Sequence, residues 1–226
     1  EDCCHSLGGK YSISKKENVG KCKYSDVSTF SFHPVKSITT GEGGMLVTNN
    51  KKIYLKSKLL RNHGMIKKNI QGKNNWYYNI IDVGFNYRMN EMQAALGISQ
   101  LKKLNKFIKK RNFIAKIYNK LFESCKLINL ITNKNLDQKS AFHLYIINLN
   151  FKNLKISKNN FIQKLHEEKI GVQVHYIPNN YQPIYKRKEN FLIGAKRYFE
   201  NSLSIPIYPN LALDEIKKVS KTIINL

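Results

Sequence analysis

Lys36 is the residue in this chain whose surroundings most suggest chemistry. It lies in Thr29 to Val47, TFSFHPVKSITTGEGGMLV, with Ser31 and His33 upstream and the turn Thr39 to Gly44 downstream. Pro34 excludes an ordinary helix or central strand at that point, so the lysine is expected in an irregular segment held by its neighbours. Phe30, Phe32, Val35 and Ile38 surround it in sequence. Apolar company lowers an amine's proton affinity toward the range where it acts as a nucleophile or base. The nearby hydroxyls and glycine amides suit an anion such as phosphate. An amine beside an anion-binding turn points to a Schiff base with a phosphorylated aldehyde, the way pyridoxal phosphate is held. For a lysine taken at random, a solvated surface charge is the competing reading.

The segment SFHPVKSITTGEGG resembles the Schiff-base segment of the DegT/StrS family of pyridoxal-phosphate-dependent nucleotide-sugar aminotransferases. The resemblance extends, in order, through EDCCHSLGG (Glu1 to Gly9), LRNHGM (Leu60 to Met65), GFNYRMNEMQAALGISQL (Gly84 to Leu101), FHLY (Phe142 to Tyr145), GVQVHYIP (Gly171 to Pro178) and SLSIPIYPNL (Ser202 to Leu211). It implies an α/β protein of fold-type I: the later part of a large cofactor domain with a long connecting helix over residues 1–122, then a small α/β domain over 123–226. It also implies that the chain is the C-terminal part of such an enzyme and inactive alone.

By the same resemblance, Lys36 carries pyridoxal 5'-phosphate and shuttles the proton. Asp2 pairs with the pyridine nitrogen, His5 lies near the ring, Ser31 holds the phosphate, and Asn86 reaches a partner subunit's phosphate across a homodimer. Arg88, His143, His175 and Tyr176 are the expected substrate contacts. An ordinary polar residue fits His5 equally well, a serine bonded to the backbone fits Ser31, and core or interface histidines fit His143 and His175. Within the family, SFHPVK with ITTGEGG, and VQVHYIP with QPIY, are most similar to members that aminate a UDP-linked 4-keto-6-deoxy-N-acetylhexosamine for pseudaminic acid, with L-glutamate as donor. An aminotransferase for another dTDP- or GDP-4-keto sugar stays open. Sugar dehydratases of the family lack the lysine that stands here at position 36.

Composition bounds the other possibilities. The chain has 226 residues, enough for one good core or two modest ones. With Lys+Arg 39 against Asp+Glu 15, the net charge is +24, which raises a non-enzymatic basic binding module as an alternative. Only Arg61, Arg88, Arg111, Arg187 and Arg197 are arginines, the lysines are dispersed, and no recognition motif accompanies them, so no nucleic-acid partner is expected. The cysteines Cys3, Cys4, Cys22 and Cys125 form no CxxC pair, and no metal site is expected. No apolar run approaches the ~20 residues of a membrane span. No positively charged and apolar leader is in view, and a reduced, cytoplasmic setting is expected.

The elements that must position these residues follow from patterning. A short strand is expected over Val27 to Phe32, another from Met45, and a helix over Lys51 to Arg61 stopped at Gly64. One helix capped by Asn90 is expected to run to about Leu121. Strands are expected over Phe142 to Leu149 and Gly171 to Tyr176. Helices are expected over Lys158 to Glu168, Phe191 to Asn201 and Leu213 to Ile224, and an extended piece at Leu203 to Pro206. Tyr11 to Tyr24 and Tyr181 to Lys188 are expected as loops.

Overall fold

A computed structural model describes residues 1–67, 76–130, 137–185 and 192–226. The chain divides into two compact units, Glu1–Asn105 and Lys106–Leu226. The family resemblance implies a domain boundary at 122/123, whereas the compact units part at 105/106. Residues 106–122 complete a helix whose buried side chains Ile114, Ala115, Tyr118 and Phe122 belong to the core of the second unit.

In the first unit, β1 (Lys10–Ser12) and β2 (Glu17–Asn18) form a small antiparallel pair that begins one residue before the expected loop Tyr11 to Tyr24 and otherwise lies within it. β3 (Ser28–Ser31) and β4 (Gly44–Val47) pair antiparallel, with Ser31 opposite Gly44. Residues 32–43 are therefore the connection of this hairpin, and Lys36 lies in the middle of it. α1 (Lys51–Arg61) starts where the Asn50 side chain accepts from the Lys52 and Ile53 N–H groups, the usual role of an asparagine N-cap. It ends at Asn62 and Gly64, as the sequence signals. β5 (Met65–Ile66) and β6 (Asn79–Ile80) form another short antiparallel pair.

α2 (Glu91–Leu101) opens with a capping box in which the Asn90 side chain and Gln93 satisfy each other's backbone groups. The expected single helix is two: α3 (Leu104–Phe122) begins after a lapse at Lys102 and Lys103. There Lys103 N–H reaches back to Gln100 O at 2.9 Å, a tighter bond than the helical one.

The second unit is built on an antiparallel sheet of β7 (Ile128–Leu130), β8 (Tyr145–Leu149) and, after α4 (Phe151–Leu154), α5 (Lys158–Glu167) and α6 (Ile193–Asn201), β9 (Ser202–Ile205). β8 is central, with Ile128 opposite Leu149 and Ile147 opposite Leu203. Tyr145, Ile147 and Leu149 alternate as buried residues, so one face of β8 looks into the core. That core also takes Phe161 and Leu165 from α5 and Ile216, Val219 and Ile223 from α7 (Leu213–Asn225). The expected strand over Gly171 to Tyr176 is reduced to one bridge, Gln173 to Ser204, made by backbone bonds of 3.1 and 2.8 Å. Residues 186–191, expected partly as loop and partly as the start of a helix, lie outside the described residues.

Candidate active site

The hairpin connection is braced from inside. Phe32 N–H donates to Gly43 O (2.8 Å) and Thr40 N–H to Phe32 O (3.0 Å), closing the base of the loop. Thr39 Oγ1 also donates to Phe32 O at 3.1 Å, and Thr40 Oγ1 to Glu42 O at 2.7 Å. Gly43, with φ +154, has no room for a side chain: a Cβ would stand 2.3 Å from Thr40 Oγ1. α2 props the turn from outside, where Gln93 Nε2 donates to Glu42 O at 3.0 Å. Lys36 N–H is held by His33 O at 2.9 Å. The lysine is half-buried; of the apolar residues around it in sequence, Phe32 and Ile38 are buried, whereas Val35 is 60% exposed.

Asp2 reaches this turn through β3. It forms a parallel bridge with Thr29, and Cys3 N–H donates to Thr29 O at 2.8 Å. Its carboxyl lies below the ordinary carboxylate range. The largest cause is a hydrogen bond from the Cys4 thiol, then one from the Cys4 backbone N–H, with the positive fields of His5 and Lys36 adding to them. Lys36, far from Asp2 in sequence, thus lies near enough for its charge to add a small contribution at Asp2. Ser31 ends the same strand, where its Oγ accepts from His33 N–H at 3.4 Å. Asp2, His5, Ser31 and Lys36 all belong to the first unit, gathered around one short strand and its loop.

Asn86 and Arg88 belong to the same unit and share one anchor. Asn86 makes an isolated antiparallel bridge with Asn62, and Arg88 Nη1 donates to Asn62 Oδ1 at 2.7 Å. Backbone bonds from Phe85 to Leu60 O (2.7 Å) and from Tyr87 to Arg61 O (3.0 Å) strap the segment to the end of α1. Both side chains are exposed.

His143, His175 and Tyr176 lie in the second unit. His143 is buried, and its carbonyl accepts from Arg111 Nη1 at 3.1 Å. His175 Nδ1 bonds Ser204 Oγ at 2.8 Å, and its ring stands edge-on to Tyr176 with centroids 4.7 Å apart. Tyr176 is 60% exposed. Sequence reasoning missed Cys4 and Asn62, the residues that hold Asp2 and Arg88. Neither type carries a motif of its own; only their places, two residues after Asp2 and at the end of α1, mark them.

The donor set suits pyridoxal phosphate: an amine, an ionised carboxylate, a serine hydroxyl and a turn in which Gly43 and Gly44 leave no space for a Cβ. Among the described residues there is no group of three or more His, Cys, Asp or Glu placed to hold a metal ion, and no helix is long and apolar enough to cross a membrane.

The family model of the DegT/DnrJ/EryC1/StrS aminotransferases matches residues 1–224. The chain belongs to this family. Aminotransferases of the DegT/DnrJ/EryC1/StrS family depend on pyridoxal phosphate, and the chain has their α/β fold. Over 228 residues it is 40% identical to the UDP-4-amino-4,6-dideoxy-N-acetyl-beta-L-altrosamine transaminase of Campylobacter jejuni subsp. jejuni serotype O:23/36 (strain 81-176), covering 100% of this chain and 57% of that one. Helicobacter pylori PseC, an aminotransferase involved in the biosynthesis of pseudoaminic acid, superposes with a TM-score of 0.88 at 34% identity, over 99% of this chain and 58% of PseC. Spr1654 of Streptococcus pneumoniae in its PLP-form gives 0.84 at 27%, over 99% and 56%. The chain therefore spans little more than half the length of each family member compared.

Proposed function

We propose that this chain carries the lysine end of the active site in a pyridoxal-phosphate-dependent aminotransferase. The proposed acceptor is a UDP-linked 4-keto-6-deoxy-N-acetylhexosamine, L-glutamate the donor, and a cytoplasmic homodimer the working form. The observation that carries this reading is that one short strand brings both groups together: Asp2 is bridged to Thr29 of β3, and Lys36 lies in the connection that follows β3, a loop closed by its own hydroxyls and backbone. Support for the sugar class is the likeness to the altrosamine transaminase and to PseC.

Bound pyridoxal phosphate supplies an electron sink for the pair left behind when a carbon-bound proton departs. The chain's own groups do the rest. The Lys36 amine would hold the cofactor and, when free, would take the proton from the donor's α carbon and deliver it to the cofactor's aldehyde carbon within the same half-reaction; in the second half-reaction it would carry a proton the opposite way, onto the sugar's keto carbon. The Asp2 carboxylate, kept ionised by its hydrogen bonds, favours a protonated ring nitrogen, and a protonated ring is the better sink. His5 lies near the ring, and Ser31 holds the phosphate with Asn86 of the second copy. The fork of Arg88, fixed by Asn62, receives an anionic part of the substrate. His143, His175 and Tyr176 are the proposed sugar contacts.

The test is a version of the protein extended to its relatives' length with the amino-terminal portion of a family member. With pyridoxal phosphate it is expected to show a visible band that borohydride fixes on the peptide containing Lys36, and Lys36→Ala is expected to lose both band and turnover. No band in either protein, or modification of a different lysine, overturns the reading.

A further inference from the structure

We infer that Gln93 is a positioning residue for the Lys36 loop, its side-chain amide fastening the turn Thr39 to Gly44 to the start of α2. The two ends of the amide make different bonds. Oε1 accepts Asn90 N–H at 3.1 Å and closes the capping box, while Nε2 donates to Glu42 O at 3.0 Å. The backbone partners fix which end is which, since an N–H requires the oxygen and a C=O the nitrogen. A glutamate in this place would close the same box and suit the positive end of the helix, but it would have no proton to give the carbonyl at neutral pH. The turn therefore uses the one group that distinguishes glutamine from glutamate.

Close packing brings the same helix against the same turn. A Cβ added to Gly97, one helical turn beyond Gln93, would stand 2.9 Å from Thr40 Cγ2, and one added to Gly43 would stand 3.1 Å from Met89 Cε. Thr40 is 3% exposed. Glu42 O also accepts from Thr40 Oγ1 at 2.7 Å, so both lone pairs of that carbonyl are filled. Thr40 N–H in turn donates to Phe32 O at 3.0 Å, which carries the constraint from Gln93 to the base of the loop that holds Lys36.

The consequence for catalysis rests on the proposed role of Lys36: with the turn unfastened, the amine is less well aimed at the carbon whose proton it moves. Two variants of the chain without cofactor test the fastening by hydrogen exchange, read amide by amide in NMR. Gln93→Glu keeps the cap and loses the donor. In it the N–H groups of Phe32 and Thr40 are expected to exchange about threefold to tenfold faster, the effect of one hydrogen bond. Ala94 N–H, bonded to Asn90 O at 3.0 Å in the first turn of α2, is expected to keep its wild-type rate. In Gln93→Ala, which loses cap and donor together, all three are expected to quicken. Competitive acetylation, read by mass spectrometry of the Lys36 peptide against the other lysines, is expected to rise in both variants as the half-buried amine is released.

Phe32 and Thr40 amides at wild-type rates in Gln93→Glu, or Lys36 acetylated there as in wild type, would confine Gln93 to capping α2 and overturn the inference. An Ala94 amide that quickens with the other two in Gln93→Glu would overturn it as well, because the loop would then be following the helix. Neither readout involves pyridoxal phosphate, so a failure here is distinct from a missing band in the extended protein.

Discussion

At the scale of single residues, the groups that sequence reveals are those whose type alone is unusual in its place. Lys36 beside a proline and a glycine turn is visible in a string of letters. Arg111 is not: it stands in a lysine-rich helix like any surface cation, yet it is 5% exposed, and its Nη1 donates to the carbonyls of Phe142, His143 and Ile207 at 3.0, 3.1 and 2.8 Å. Burial of this kind depends on which segments arrive from elsewhere in the chain.

The same holds for Tyr118, which donates to Pro206 O at 2.9 Å, and Tyr145, which donates to Asn119 Oδ1 at 2.6 Å. Desolvation pushes both phenols well above the ordinary tyrosine range. Their neutral forms are favoured in the fold, so the stability they contribute is fully present below the unfolded pKa of about 10 and is lost as pH rises toward the folded value. Chemical denaturation of the second unit is expected to show stability falling above pH ~10 by about 1.4 kcal/mol per pH unit for each tyrosine. Tyr198 and Tyr208 are raised as well, so in Tyr118→Phe the slope is expected to lose one tyrosine's share, about 1.4 kcal/mol per pH unit, rather than to vanish; an unchanged slope would assign the alkaline loss to other groups.

Elements were legible where capping chemistry marks them and illegible where only long-range pairing does. Asn50, Asn62 and Gly64 bracket α1, and Asn90 opens α2, all as their types suggest. The lapse at Lys102 and Lys103 contains no glycine or proline, and apolar residues recur through it, so one helix was the natural reading of two. Gly171 to Tyr176 alternates like a strand but pairs at a single point, because pairing is decided by the partner β9 as much as by the pattern.

The strap carrying Asn86 and Arg88 shows how an element's glycine matters more than its polar residues. A Cβ on Gly84 would lie 2.3 Å from Gly64 N and 2.7 Å from Leu60 O, backbone atoms with no freedom to yield. Gly84→Ala is expected to cost about 1–3 kcal/mol, the usual range for overpacking. It should also release the Asn62–Arg88 hydrogen bond. Denaturant titration gives the first, and the Arg88 guanidinium resonance in NMR the second; an alanine variant as stable as wild type would mean the strap is looser than its hydrogen bonds indicate.

At the scale of the whole molecule, the two units differ in what holds them. The contiguous apolar cluster runs from Ile114 to Ile223 and lies wholly within the second unit. Among the described residues of the first unit, the buried hydrophobic side chains are Cys3, Phe32 and Ile38, α1 and α2 bury no residue completely, and Val83, Met92 and Ile98 are 86%, 80% and 60% exposed. Composition gives no hint of this asymmetry, since apolar residues are abundant in both halves; it comes from which faces find a partner. Local opening is governed by the apolar contacts a segment must break, so amides of α1 and α2 are expected to exchange through small openings of low free energy. Those of β8, β9 and the C-terminal half of α3 are expected to exchange only when the second unit unfolds as a body. Native-state hydrogen exchange in rising denaturant should show the first set insensitive to denaturant and the second falling with the global slope. A single slope shared by both units would mean that they unfold together and that the sparse packing of the first unit does not set its stability.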